Sequence, residues 1–203
     1  MEQLLLVRHG FAGSNRDDVA SSTVPGEGLT PEGVEQARAL SHTLASEAID
    51  VALTSRLRRT QETLELAIDG RGIPVVVVEE LDEIRFGSFD GGPLESYRAW
   101  AASRPPDEPP PGDGESRAQA AARFARGLRL VLARSEESVL VVGHALAIRY
   151  LIDAANGDLP AARMAPIEHA FPYRLHRGDA ERAAVLLEEW SGAPRFRDPD
   201  AQA

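Results

Sequence analysis

Four short apolar runs, each closed by polar residues or glycine, recur along the chain with helical patterns between them. QLLLVR (3–8), DVAL (50–53), PVVVV (74–78) and SVLVV (138–142) have the length of buried strands, and the third is β-branched throughout. The intervening segments carry a different period. Thr30 is placed to cap a helix with Pro31 at its first position, and Val34, Ala37, Leu40, Leu44 and Ala48 follow at three-to-four spacing. Thr54 and Ser55 are expected to open a second helix running to about Ile68, and Ser116–Arg134 reads as a third with Phe124, Leu128 and Val131 on one face. A further helix is expected after Gly143-His144, through about Ala155. Strands alternating with helices imply a three-layer α/β/α sandwich around a mostly parallel sheet. Two late runs, Ala170–His176 and Ala183–Trp190, read as an antiparallel pair about a turn at Arg177-Gly178-Asp179, which makes about six strands with one antiparallel edge. Pro172 confines its run to an edge or a bulge. Residues 11–29 read as a loop. Residues 79–115 are irregular apart from a short helical piece around Tyr97–Ala102, and five prolines between Arg104 and Gly114 make an extended surface loop. The expectation is a single domain over 1–190 with a lid-like insert at 92–115 and a loosely ordered tail at 191–203.

In sheets of this kind ligands bind outside the carboxyl ends of the strands. Those positions hold Arg8-His9-Gly10, Thr54-Ser55-Arg56-Leu57-Arg58-Arg59, Leu81-Asp82-Glu83 and Gly143-His144. Histidines, arginines and a carboxylate along one edge suit chemistry on a phosphoryl group, because guanidiniums hold a dianion, a neutral imidazole can attack, and a carboxyl group can move the proton. Composition narrows the field further. There are no cysteines, so disulfides, thiolate nucleophiles and Cys-ligated metals are excluded. All 22 basic residues are arginine, which excludes a P-loop lysine and a Schiff-base lysine. The net charge of −10 argues against nucleic acid and anionic membranes as partners. The opening MEQLLLVRHG lacks a basic n-region and no apolar stretch nears the roughly 20 residues of a membrane span, so the expected location is the cytoplasm.

The spacing links these pieces. LLLVRHGFAGSN (4–15) resembles the signature of the histidine phosphatase superfamily, the phosphoglycerate-mutase-like proteins, in which a strand runs into R-H-G with an Asn six residues past the His. GLTPEGVEQA (28–37), TSRLRRTQET (54–63), LDEIRFGSFDG (81–91), GDGES (112–116) and VVGHALAIRYLI (141–152) resemble further elements of that family in the expected order. The resemblance implies a phosphoglycerate-mutase-like fold and a phosphatase mechanism. His9 would attack phosphorus and become phosphohistidine, and Glu83 would act as general acid and then base. Arg8, Arg59 (rather than Arg58) and His144 would surround the phosphoryl oxygens, and Asn15 would add a donor. It implies no cofactor and no metal, a small-molecule phosphate ester as substrate and inorganic phosphate as product. A homodimer is compatible with the sequence, though nothing in it requires one. His42, His169 and His176 fall outside every motif and are read as non-catalytic.

Departures from the family pattern shape the expected activity. Phe11 stands where the mutases carry Glu, and suggests either an apolar or aromatic leaving group at the mouth or simple packing under the lid. Arg98, Arg104 and Arg117 are scattered instead of forming the adjacent Arg pair with which mutases grip a second anion, so hydrolysis is favoured over mutase-type transfer. Ala145 replaces the family's common Gly after the second histidine, a change that costs nothing if φ there is negative. A Rossmann nucleotide binder would need G-x-G-x-x-G after the first strand, and an Asp-nucleophile phosphatase would need D-x-D after one. The chain has neither in that context. A non-catalytic phosphate-binding member would typically lack the nucleophile or the acid, and both are present.

Overall fold

A computed structural model describes residues 1–197. The elements in chain order are β1 (Gln3–Arg8), α1 (Gly13–Arg16), α2 (Pro31–Thr43), β2 (Val51–Thr54), α3 (Arg58–Ala67), β3 (Val75–Val77), α4 (Leu94–Ala102), α5 (Arg117–Leu132), β4 (Ser138–Gly143), α6 (Ala145–Ala155), β5 (Pro172–His176) and α7 (Arg177–Gly192). One sheet has the order β3-β2-β4-β1-β5, with β5 antiparallel to β1 and the other pairs parallel. The alternation of the strands sorts their side chains to two faces. Leu5, Val7, Ala52, Leu140 and Val142 share one apolar core with residues of α2 and α3, whereas Leu4, Leu6, Val51, Leu53, Val139 and Val141 share the other with α5, α6 and α7. The fold is therefore the expected three-layer sandwich.

The sheet has five strands, not six. The run at Ala183–Trp190 lies inside α7, because Ala180, Ala183, Ala184, Leu187 and Trp190 are buried at helical spacing. Asp179, expected in a turn, sits in the first turn of α7 and accepts from the His176 backbone N–H at 3.2 Å. The antiparallel partner of β5 is β1, which makes β5 an edge strand with Pro172 at its first residue. The second expected helix begins later than Thr54 and Ser55. Thr54 closes β2, and α3 starts after Leu57. Part of the expected tail is packed. Trp190 Nε1 donates to the Arg195 carbonyl at 2.6 Å, and Arg197 pairs with Asp158 at 3.2 Å. The remainder of that tail, 198–203, lies outside the described residues.

Register is what builds the site. β1 and β4 pair with Arg8 opposite Gly143, so the next residues, His9 and His144, leave the sheet side by side. The chain departs from β1 toward α2 on one face and from β4 toward α6 on the other, which opens a crevice between the two strand ends. The turn after β1 is clamped to the start of α2. A Cβ on Gly10 would lie 2.7 Å from the Gly33 carbonyl oxygen, and one on Gly33 would lie 2.1 Å from that of Phe11. Only glycines allow this approach. The Thr30 hydroxyl locks it by donating to the Phe11 carbonyl at 2.9 Å and accepting from Gly33 N–H.

Candidate active site

His9 is 3% exposed at the floor of the crevice. Its Nδ1–H donates to the Gly10 carbonyl at 2.8 Å, which leaves the Nε2 lone pair free to face Arg59, whose Nε–H approaches it at 3.2 Å. Burial, then the charge of Arg59, the neighbouring His144 and Arg8 hold its pKa well below the usual imidazole value. The ring is thus neutral at pH 7, and its unprotonated nitrogen is the one facing the crevice.

His144 is fully buried, with its ring centroid 5.4 Å from that of His9. Its hydrogen bonds admit one tautomer. Arg59 Nη2, which can only donate, lies 3.3 Å from Nδ1, so the proton is on Nε2 and is given to Ser55 Oγ at 3.0 Å. Ser55 in turn donates to Thr60 Oγ1 at 2.7 Å, and Thr60 donates to the Leu57 carbonyl. Ser55 and Thr60 are buried and continue the β2–α3 junction, which is why that segment is polar yet interior. Burial and then Arg59 push the His144 pKa well below its ordinary value.

Two guanidiniums border these rings, and among the described residues neither has a carboxylate within 4 Å. Arg59 is 2% exposed and reaches the Ser21 carbonyl at 2.9 Å, and its Nη1 has no partner among the described residues. Arg8 donates to the Ile167 carbonyl at 2.7 Å, and its Nε has no partner among the described residues. Burial lowers the pKa of both, that of Arg8 to about 10, so both remain charged at neutral pH. Unmet N–H groups on buried cations are expensive unless a ligand meets them, and two such groups around one imidazole form an anion receptor.

Glu83 forms the opposite wall. Its side chain is 14% exposed, with Oε2 3.8 Å from His144 Nδ1 and Oε1 accepting from Ile84 N–H at 3.0 Å. Burial raises its pKa above the usual carboxylate value, against the opposing pull of Arg59. The loop that carries it is held from behind by Arg123 of α5, which donates to the carbonyls of Glu80, Asp82 and Glu83 at 3.0, 2.8 and 3.2 Å. Arg123 is saturated by a bidentate pair with Glu115 at 2.6 and 2.9 Å. Glu115 lies within the GDGES motif, and its role as the anchor of Arg123 is visible only in the fold. Arg123, eight residues further along, carried no linear signal.

These groups open into a cavity of about 420 Å³. Arg8, His9, Arg59, Glu83, Asn15 and Ala145 line it; α4 and the loop around 162–167 form its outer walls. The Asn15 oxygen accepts from Ala12 N–H at 3.0 Å, so its NH₂ is left to donate. Ala145 is the first residue of α6 and does not have a positive φ, so its methyl group is accommodated. Phe11 is not part of the cavity wall. It lies edge-on to His169, ring centroids 5.5 Å apart, because the clamp at Gly10 and Gly33 turns it away from the crevice. His169 is closer to the site than its isolation in the sequence suggested. Its Nδ1–H donates to the His9 carbonyl at 2.7 Å and its ring centroid is 5.5 Å from that of His9. The scattered arginines also converge in part. Arg98 and Arg117 both line the cavity, whereas Arg104 pairs with Glu108 at 3.5 Å.

A family model described as the histidine phosphatase superfamily (branch 1) matches residues 4–190. The chain belongs to this superfamily. An adenosylcobalamin/alpha-ribazole phosphatase of Escherichia coli is 32% identical over 171 residues, covering 80% of this chain and 82% of the relative. A 2,3-bisphosphoglycerate-dependent phosphoglycerate mutase of Methylorubrum extorquens is 34% identical over 209 residues, covering 93% and 97%. Among solved structures, the alpha-ribazole phosphatase of Shigella flexneri superposes with a TM-score of 0.73 at 27% identity, covering 85% of this chain and 89% of that one. Superfamily membership and these phosphatase relatives support phosphatase activity in general terms, and mutases stand among the relatives as well. Among the described residues, no helix is long and apolar enough to cross a membrane.

Proposed function

We propose that the protein is a phosphomonoesterase that hydrolyses a small-molecule phosphate ester through a phosphohistidine on His9. The Nε2 lone pair attacks phosphorus in line with the departing ester oxygen. The P–O bond breaks as the N–P bond forms, and the proton of Glu83 passes to the leaving oxygen. A water then gives a proton to the Glu83 carboxylate as its oxygen attacks phosphorus. The N–P bond breaks, and inorganic phosphate and neutral His9 result. Arg8 and Arg59 meet the non-bridging oxygens with their unused N–H groups, and Asn15 adds a donor. His144 is neutral, and its Nδ1 accepts from Arg59 Nη2 at 3.3 Å, so it holds that guanidinium in place for the phosphoryl oxygens. Charge stabilisation comes from preorganised donors in a dry site, which is where phosphoryl transfer gains most of its rate.

The observation that carries this reading is a neutral imidazole whose unprotonated Nε2 meets Arg59 Nε–H at 3.2 Å, in a cavity lined also by Arg8 and by Glu83, a carboxyl group whose pKa is raised. The test is turnover of p-nitrophenyl phosphate together with mass spectrometry of acid-labile adducts. Wild type is expected to release phosphate and to trap a phosphoryl group on His9, and His9→Ala to do neither, with a loss of at least about a thousandfold. Equal turnover by the two proteins would refute the nucleophile. Mutase-type transfer is the second reading, favoured by the mutase relative that covers 93% of this chain. Transfer of label from a phosphoglycerate to a second acceptor, in place of release as phosphate, would select it.

A further inference from the structure

His169 is the third histidine beside the phosphoryl hollow, and the proposed mechanism gives it no task. Its surroundings are specific. Nδ1–H donates to the carbonyl oxygen of His9 at 2.7 Å, and the two rings stand edge to face with centroids 5.5 Å apart. Burial and then the charge of Arg8 lower its pKa to about 4, so the ring is neutral at pH 7 and its one proton sits on Nδ1.

The carbonyl it reaches belongs to the peptide that carries the nucleophile. At the other end of that peptide, Gly10 N–H donates to Thr63 Oγ1 at 2.9 Å, and Thr63 donates onward to the Arg59 carbonyl at 2.6 Å. The next peptide is held in the same way. Its Gly10 carbonyl accepts from His9 Nδ1 at 2.8 Å, and its Phe11 N–H donates to Gln36 Oε1 at 2.8 Å. Both peptide planes around Gly10 are therefore fixed at their two ends, where a glycine would otherwise turn freely. The bonds from His169 through the first peptide and Thr63 to Arg59 all point one way, so each polarises the next. Thr63 and Gln36 restrain the turn from α3 and α2, whereas His169 restrains it from the segment that leads into the edge strand β5.

That segment is itself pinned to the end of β1. Arg8 Nη1 donates to the Ile167 carbonyl at 2.7 Å, and Ala170 N–H donates to the Arg8 carbonyl at 2.9 Å. Ala170 stands at φ +49°, a left-handed conformation that alanine rarely adopts. A backbone kept in a disfavoured conformation beside reacting groups is over-determined by its contacts, and here those contacts bring the His169 ring onto the His9 carbonyl.

We propose that His169 is a positioning residue for phosphoryl transfer: its Nδ1–H fixes the His9–Gly10 peptide and, through it, the direction in which His9 Nε2 points. The proposal goes beyond the phosphatase reading and rests on His9 being the nucleophile. Misplacing a reacting atom by about 1 Å lowers a rate by about a hundredfold, so loss of one of the two anchors on this peptide is expected in the chemical step and not in the binding of phosphate.

The test compares His169→Asn, His169→Gln and His169→Leu with wild type, measuring kcat/KM for p-nitrophenyl phosphate and Ki for inorganic phosphate on folded protein. The amide nitrogen of asparagine is bonded to Cγ, as Nδ1 of histidine is, whereas that of glutamine lies one bond further out. His169→Asn is expected to keep at least about a third of the wild-type kcat/KM, and His169→Gln and His169→Leu to lose about tenfold or more, with Ki within about twofold throughout. A merely structural role would change stability and leave kcat/KM of the folded protein unmoved. Equal kcat/KM in His169→Asn and His169→Gln overturns the proposal, and this contrast between two amides decides even if His169→Leu does not fold. A Ki that rises in step with the fall in kcat/KM also overturns it, because His169 would then act on the arginines and not on His9. Either result leaves the phosphatase reading intact, whereas absence of turnover by wild type overturns both.

Discussion

Arg59 and Arg123 are equally buried yet live in opposite surroundings. Arg123 meets a carboxylate twice and three backbone carbonyls besides, and its charge is spent on holding the loop of Glu83. Arg59 meets one carbonyl and two imidazoles and, among the described residues, keeps an unused N–H and has no carboxylate within 4 Å. A buried guanidinium that the protein itself saturates serves the fold, whereas one left unsaturated is available to an incoming anion. Under the proposed mechanism the site needs both kinds, because Glu83 stays opposite His9 only while the loop behind it is tied down.

Exchanging each arginine for methionine breaks this comparison most directly. Arg59→Met is expected to lower kcat/KM by about 10²–10³-fold, the cost of one preorganised donor to the reacting group, with little or no loss of thermal stability. Arg123→Met should do the reverse. Stranding Glu115 without its partner is expected to cost about 3–5 kcal/mol in urea denaturation, and the double replacement Arg123→Met with Glu115→Leu should recover part of it. If Arg59→Met proved the more destabilising of the two, the division between ligand-facing and structural arginines would fail.

Glu83→Gln sharpens the role of the wall that Arg123 supports. For an alkyl phosphate, whose leaving oxygen needs a proton, the expected loss is about 10²-fold or more, and it should be much smaller for p-nitrophenyl phosphate, whose leaving group departs as a stable anion. Burial lowers the pKa of His9 and raises that of Glu83, so a neutral nucleophile and a protonated acid coexist in mildly acidic solution. The kcat/KM profile of wild type should therefore hold up as pH falls below 6.5 and decline on the basic side as Glu83 ionises. In Glu83→Gln the basic decline should vanish.

The smallest expected effect concerns stability against pH. His9, His144 and His169 all have folded pKa values below that of a free imidazole, so below about pH 6.5 the unfolded chain binds more protons than the folded one. Stability is therefore present near neutrality and is lost as pH falls. For His169 the window runs from 6.5 down to about 4, through burial first and Arg8 second. His169→Asn should flatten part of that slope, by about 1–2 kcal/mol or less, since the ring is only partly buried. Urea denaturation at pH 7 and pH 5 would show it, and an identical slope in the two proteins would remove His169 from the account.

Much of the fold was legible because its signals are local. The short continuous apolar runs, the Thr30-Pro31 start and the Ser116 cap each act within a few residues, and the structure has strands and helices there. The misreading of Ala183–Trp190 came from the same source. A short apolar run suits a strand or a buried helix face, and only packing of α7 against α5 and α6 separates them. The site divides along the same line. Arg8, His9, Arg59, Glu83 and His144 follow strands or strand-like segments, so their order along the chain was enough to gather them at one sheet edge.

By itself the sequence determined which residue types stand at the carboxyl ends of the strands, because strand period and family-like spacing are properties of neighbours along the chain. The tertiary structure alone decided which charges are paired. Arg123 finds Glu115 eight residues earlier at the start of its helix, Arg117 finds no carboxylate within 4 Å among the described residues, His169 arrives beside His9 across 160 positions, and Phe11 turns aside. Pairing depends on distances of a few ångströms between segments far apart in the chain, and electrostatic energy in a dry interior changes steeply over just those distances.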